Sequence, residues 1–147
     1  MNPEISVKVE WINNRLLELI DDFDKKKTYN RKKAFYSYLV VTILGATITV
    51  LLGLNISYLE YVFRGIALCL GAIITIYSAY NSFFNFKGLW LKYNDTKNKL
   101  YSIKDDLNYF LAGNENINSE ELNKFKKRLD NILSEINEEW TTLKTTI

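Results

Sequence analysis

The chain has 147 residues, a net charge of +2 and a hydrophobic fraction of 48%, the averages of an ordinary soluble domain. It contains no histidine, and its one cysteine, Cys69, lies within an apolar run. Zinc sites, Cys-His nucleophiles and disulfides are therefore excluded, and we expect neither enzymatic activity nor a metal or cofactor. The small net charge, with no basic face interleaved with aromatic residues, argues against nucleic acid as a partner.

The first predicted element is an amphipathic cytoplasmic helix over residues 1–33. Asn2 followed by Pro3 is typical of a helix start, with a cap and then proline at the first helical position. Apolar residues follow at alternating spacings of four and three: Ile5, Val9, Ile12, Leu16, Leu19 and Phe23. This spacing places them on one helix face.

With one proline and six glycines in the whole chain, we expect long helices and no β architecture.

Two uncharged runs follow, over residues 34–59 and 65–86. A bilayer core of about 30 Å needs roughly 20 apolar residues in a helix, and both runs meet that length. We therefore predict transmembrane helix 1 over 34–59, a short extracytoplasmic loop over 60–64 and transmembrane helix 2 over 65–86. The first run lies behind a charged segment, which is not the order of a cleavable signal peptide. The predicted fold is an all-α integral membrane protein with a two-helix hairpin in the bilayer.

Basic residues flank the hairpin on the side of both chain ends. They are Lys25, Lys26, Lys27, Arg31, Lys32 and Lys33 before the first run, and Lys87, Lys92, Lys97 and Lys99 after the second. Asp95 is the one acid among the second group. By the positive-inside rule both termini are cytoplasmic. The first cluster has two interpretations: it sets topology and contacts anionic headgroups, or it is an electrostatic element of a pore entrance or effector site.

The remaining chain is predicted to form a cytoplasmic helix over 87–111 continuing from the second span, a turn over 112–118 and an amphipathic helix over 119–147. The first helix has an apolar seam of Leu89, Tyr93, Thr96, Leu100, Ile103, Leu107 and Phe110, and the last has one of Leu122, Phe125, Leu129, Ile132, Ile136, Trp140 and Leu143. With the N-terminal helix they would form an up-down bundle. Its candidate anchors are Trp90, Tyr93, Leu100, Phe125 and Trp140. Trp90 and Trp140 lie equally far from the turn, so we expect the two indoles to meet. The seams either form this bundle alone or also join subunits.

Each span carries a stripe of small and polar residues. The second span has Gly71, Thr75, Ser78, Ser82 and Asn85, and the first has Thr42, Gly45, Thr49 and Gly53. Such stripes have two interpretations: close helix packing, or a water-facing pore wall of hydroxyls and amides. Because two helices cannot surround a pore, the second interpretation requires a ring of subunits. We take the longer stripe as the pore-lining candidate and the shorter one as the helix-packing candidate.

Further residues carry a family resemblance. An amphipathic segment and a two-span hairpin precede Phe86, Trp90, Tyr93, Thr96 and Leu100, then Leu111, Ala112 and Gly113, a later Phe125, and Glu139 with Trp140. This layout resembles the SLATT family of small bacterial membrane proteins, which overlaps a family catalogued as a domain of unknown function. The resemblance implies a pore-forming effector of bacterial conflict systems in the inner membrane, triggered by a sensor or signal protein acting in trans.

Two functions follow as expectations. The first is an oligomeric bacterial ion channel or pore, gated through its cytoplasmic helices and serving antiphage defence, with the bilayer, other copies of the chain and permeating ions as its partners. The second is a non-conducting membrane scaffold whose helical bundle recruits a partner. They differ in whether the stripe over residues 71–85 faces water or protein.

Overall fold

The computed structural model describes residues 3–54, 58–113 and 117–145, with side chains described up to residue 138. Four helices form this part of the chain: α1 (Pro3–Gly53), α2 (Glu60–Phe84), α3 (Phe86–Gly113) and α4 (Ser119–Thr145). The described residues contain no strand, which confirms the prediction of an all-helical fold. The predicted cap at Asn2 lies outside the described residues.

Helix α1 joins the predicted amphipathic helix and the first apolar run without a break. Pro3 is its only proline and stands at the start, where it is tolerated. Side-chain pairs three or four residues apart support the polar turns, with Glu4 and Lys8 2.6 Å apart and Arg15 and Glu18 2.7 Å apart. The helix ends at Gly53, so the end of the apolar run at Leu59 overestimates the helical segment.

The predicted loop over 60–64 is wrong, because these residues form the first turns of α2. Charged residues interrupt the apolar run, but they can still be part of a helix. Glu60 lies in the first turn, where a negative charge is favourable, and its carboxylate is 2.6 Å from the guanidinium of Arg64 one turn later. The connection therefore comes earlier in the chain, between Gly53 and Glu60.

The continuous helix predicted through the end of the second span is also wrong, because α2 and α3 are separated at Asn85. Its backbone is left-handed, with φ 43° and ψ 49°. After α3 the predicted turn over 112–118 is shorter than expected, since Ala112 and Gly113 are still helical. Residues 114–116 lie outside the described part. Helix α4 begins at Ser119 as predicted, and the Asn118 side chain accepts a hydrogen bond from the Glu120 N–H at 3.2 Å.

The chain divides into two compact units. The first, residues 1–26 and 92–147, is a bundle of the start of α1, most of α3, and α4. Its core contains twelve residues of the predicted seams: Ile12, Leu16, Leu19 and Phe23 from α1, Tyr93, Thr96, Leu100, Ile103 and Leu107 from α3, and Leu122, Leu129 and Ile136 from α4. The other seam residues whose side chains are described are half-buried. The three helices therefore pack by the faces that their apolar spacing predicts.

The second unit, residues 27–91, is an antiparallel hairpin of the end of α1 and α2. At one end Ile48 and Leu52 line a groove together with Ala67. At the other end the Lys33 ammonium lies 5.1 Å from the centre of the Phe86 ring. Buried and half-buried residues recur at spacings of three and four and mark the sides by which the two helices face each other. They are Val41, Leu44, Ile48 and Leu51 on α1, and Phe63, Ala67, Leu70, Ile74 and Tyr77 on α2, with the half-buried Gly45 and Gly71 beside them.

Two neighbouring leucines of α1 test the bundle packing. Leu16 is fully buried, whereas Leu17 is 44% exposed. Replacing Leu16 with Ala should lower the free energy of unfolding of the bundle by about 2–5 kcal/mol, because a cavity replaces core contacts. The matched Leu17→Ala change should cost less than about 1 kcal/mol. Urea titration of the full chain in mild detergent, followed by circular dichroism, measures both; equal losses would contradict the described packing.

Candidate functional site

The most unusual feature of the molecule is the apolar surface of the hairpin. Both α1 and the chain from Glu60 to Gly113 contain a segment of 18 residues that is long and apolar enough to cross a membrane, and only 6% of each segment is buried. Leu68 and Ile76 are 77% and 72% exposed, for example. A contiguous apolar surface of this kind marks a site of contact with a membrane or another protein.

The pore-lining candidates of the second span lie on the outside of the hairpin. Thr75, Ser78, Ser82 and Asn85 are exposed, and Gly71 is half-buried. The residues of α2 that contact α1 lie about a quarter of a turn away round the helix. The structure therefore places these candidates on one side of α2, beside the hairpin contact. Gly71 and Thr75 line the groove that Ile48 and Leu52 of α1 also line, and the other three lie further along α2.

The helix-packing candidates of the first span are mostly exposed as well. Thr42, Thr49 and Gly53 are exposed, and Gly45 is half-buried. A Cβ added at Gly45, Gly53 or Gly71 would meet no atom within 4 Å, so these glycines do not mediate close approach of the two spans. Three of the four first-span candidates thus lie outside the hairpin contact, and the packing of a helix against this stripe stays a prediction.

The threonine hydroxyls on these surfaces have partners within their own helix. Thr42 donates a hydrogen bond to the carbonyl of Tyr38 at 2.9 Å, and Thr49 to that of Gly45 at 3.0 Å. On α2, Thr75 donates to the carbonyl of Gly71 at 3.0 Å. A hydroxyl bonded in this way can face lipid without leaving its donor unsatisfied. These threonines are therefore compatible with lipid, protein or water as neighbour.

Asn85, the last residue of the second-span stripe, joins two helices. Its N–H donates to the carbonyl of Asn81 at 2.9 Å and ends α2, while its own carbonyl accepts the N–H of Leu89 at 3.0 Å. Its side-chain Oδ1 accepts the N–H of Gly88 at 3.1 Å, which caps α3. A Cβ added to Gly88 would lie 2.8 Å from the Asn85 Cγ, so a larger residue at position 88 would displace the Asn85 side chain from its capping position. Asparagine is suited to this joint because it tolerates the left-handed region.

Aromatic and basic side chains gather at this end of the hairpin. The rings of Phe84 and Phe86 stack with centres 5.6 Å apart, and that of Tyr80 lies 4.5 Å from Phe84. The Lys33 ammonium lies 4.6 Å from the centre of the Tyr29 ring, and its hydrogen bond to Tyr29 raises the pKa of Lys33 above its ordinary value. This amine is therefore charged at neutral pH.

A second groove, of about 560 Å³, opens at the same end of the hairpin. Its lining combines cations and aromatic rings: Arg31, Lys32, Ala34, Phe35, Tyr36, Tyr38, Lys87 and Trp90. Trp90, one of the candidate bundle anchors, thus lines a groove of the hairpin. Because the groove joins positions more than 50 residues apart in the sequence, no local pattern could predict it.

The other bundle anchors lie in the first unit. Tyr93 and Leu100 are buried, and the half-buried Phe125 ring lies 5.7 Å from that of Phe110. Burial raises the pKa of the Tyr93 hydroxyl. The side chain of Trp140 lies outside the described residues, so its predicted contact with Trp90 is not tested.

Ion pairs tie the helices of the bundle together. Lys97 lies 2.7 Å from Asp24 of α1, Lys99 lies 2.9 Å from Glu135 of α4, and Arg128 lies 2.8 Å from Asp106. The hydrogen bond to Glu135 raises the pKa of Lys99.

In the described part of the chain no group of three or more histidine, cysteine or acidic residues could hold a metal ion.

Comparison with known proteins gives one match. Residues 20–111, more than half of the chain, match the model of a family described as Protein of unknown function (DUF4231). The chain belongs to this family. The DUF4231 match includes the hairpin, the Asn85 joint and α3 as far as Leu111, whereas α4 lies outside it. No curated protein and no solved structure matches the chain.

The Asn85 joint makes a testable prediction. Replacing Asn85 with Leu places a bulky residue in the left-handed region and removes the cap of α3, at a combined cost of about 1–3 kcal/mol. Amide hydrogen exchange of the full chain in detergent should accelerate at Gly88 and Leu89. The matched change Asn98→Leu, at an exposed position inside α3, should leave exchange at these two amides unaltered. Equal exchange in both variants would show that Asn85 does not hold the joint.

Proposed function

We propose that this protein is inserted in the bacterial inner membrane through its helical hairpin and assembles into an oligomeric ion-conducting pore. The supporting observation is the surface of the hairpin, whose apolar segments are only 6% buried and whose polar stripe includes the exposed residues Thr75, Ser78, Ser82 and Asn85. Helices satisfy their backbone hydrogen bonds internally, so this surface is suited to a bilayer.

The direction of insertion is proposed from charge. The hairpin unit, residues 27–91, contains six basic residues and one acid, and five of the six bases lie at the end that carries Lys33 and Lys87. Cytoplasmic loops are the ones enriched in lysine and arginine. We therefore propose that this end, and with it both chain termini, is cytoplasmic.

The pore is proposed to form between copies of the chain. One hairpin cannot enclose a water-filled path, so the exposed residues Thr75, Ser78 and Ser82 would face a central axis in a ring of hairpins. Their hydroxyls would replace part of the hydration shell of a permeating ion. The spans contain no charged side chain, so the expected path depends on hydroxyl and amide groups.

A role in antiphage defence rests on resemblance alone. The chain resembles the SLATT family, whose members are predicted to be pore-forming effectors of bacterial conflict systems, in the layout of the hairpin and in the aromatic residues of α3. From this we propose that a sensor or signal protein acts in trans and opens the pore through the helical bundle.

A second function, a non-conducting membrane scaffold, has one observation in its favour. The hydroxyls of Thr42, Thr49 and Thr75 are bonded to carbonyls of their own helices, so these three residues of the stripes do not need water as a partner. The exposed stripes would then pack against other membrane helices, and the bundle would recruit a partner.

Two neighbouring residues of α2 separate these functions. Ser78 lies in the stripe and Ala79 does not, and both are exposed. In planar bilayers containing the purified protein we expect discrete currents in asymmetric KCl. Ser78→Leu should abolish them, since an apolar constriction excludes water from a narrow path. The matched Ala79→Leu should keep at least half of the unit conductance.

Assembly of both variants is checked by cross-linking in the same membranes. Currents that survive Ser78→Leu would contradict the assignment of the pore wall. Bilayers that stay silent with the native protein, across voltages and in the presence of cell extract from phage-infected bacteria, would favour the scaffold.

A further inference from the structure

On the basis of the membrane insertion proposed above, we propose that the groove between residues 31–38 and the pair Lys87 and Trp90 binds the headgroup of an anionic phospholipid. The groove has a volume of about 560 Å³ and is open to the surface. It places three cationic side chains, Arg31, Lys32 and Lys87, beside four aromatic rings. No acidic residue lines it.

Charge complementarity identifies an anion as the occupant. Glu60 is the only acid of residues 27–91, and it pairs with Arg64 at the opposite end of α2, 2.6 Å away. Among the described residues none forms an ion pair with Arg31, Lys32 or Lys87. Three cations held together without a counterion repel one another, and a phosphate group relieves that repulsion.

The aromatic walls favour a lipid over a soluble phosphate. Phe35, Tyr36 and Tyr38 are 62%, 61% and 74% exposed, although they lie at the start of an uncharged run. A small hydrated anion would leave this apolar surface exposed to water. The glycerol and upper acyl chains of a phospholipid would cover it, and in the proposed insertion Trp90 would lie at the level where indoles meet headgroups. Basic pockets beside membrane helices on the cytoplasmic side have the same chemistry.

A neighbouring pair of lysines provides the matched control. Lys33 points to the Tyr29 and Phe86 rings, 4.6 and 5.1 Å from their centres, and it does not line the groove. Lys27 does not line it either. Lys27→Gln with Lys33→Gln thus removes two charges from the same helix segment as Arg31→Gln with Lys32→Gln, but from outside the groove.

Quenching of Trp90 by brominated lipids measures binding directly. Trp11→Phe and Trp140→Phe leave Trp90 as the one tryptophan of the chain. In phosphatidylcholine vesicles we expect brominated phosphatidylglycerol to quench Trp90 with an association constant about five- to tenfold above that of brominated phosphatidylcholine. Arg31→Gln with Lys32→Gln should bring this ratio to about one, and Lys87→Gln alone should lower it by about twofold. The ratio should survive in the control pair.

Each other outcome overturns the inference. Equal quenching by the two lipids, or equal loss in the groove and control pairs, would show bulk electrostatics and no site. Loss of the preference on addition of inorganic phosphate at constant ionic strength would assign the groove to a soluble phosphate. No quenching by either lipid would instead contradict membrane insertion itself, and the proposed function would fail with it.

Discussion

The surface of the hairpin is the constraint on which the rest of the structure depends. Its two helices bury a narrow seam against each other and leave most of their apolar side chains exposed, with only 6% of each apolar segment buried. A surface of that kind is unstable in water, and a bilayer or neighbouring apolar helices remove it from water. The other features of the chain, including the position of its charges, are consistent with that requirement.

The two units are stabilised in different ways. In the bundle, leucines and isoleucines at alternating spacings of three and four fill a shared core, and ion pairs such as Lys97 with Asp24 join the helices at its edge. In the hairpin, the hydroxyls of Thr42, Thr49 and Thr75 donate within their own helices, and the charges are confined to the ends. Asn85 lies between α2 and α3, where one left-handed residue ends the apolar helix and caps the next.

Sequence periodicity predicts the faces of the helices well but their ends poorly. The seam through Leu16 and Leu100 is visible because core packing imposes a spacing of three and four on each helix. The start of α2 at Glu60 is not visible in the sequence, because a charged residue ends an apolar run without ending a helix. The break at Asn85 has only a local signal, an asparagine three residues before Gly88.

Of the candidate sites, one could be predicted from the sequence and the other could not. The stripe containing Ser78 and Ser82 is readable from spacing, but its position beside the hairpin contact depends on which residues of α2 meet α1. The groove that joins Arg31 to Lys87 depends on the antiparallel pairing of segments distant in sequence. Contacts between segments that are distant in the sequence produce no periodic pattern, so the sequence of one chain does not predict them.

Labelling from both sides of the membrane tests insertion most directly. In a Cys69→Ser background, Tyr61→Cys places a thiol at an exposed position near the start of α2, and Ser102→Cys places one on an exposed face of α3. A membrane-impermeant thiol reagent should label the first in intact cells and the second only after permeabilisation. Recovery of the protein in the soluble fraction, or identical labelling of the two thiols, would contradict a membrane hairpin with cytoplasmic termini.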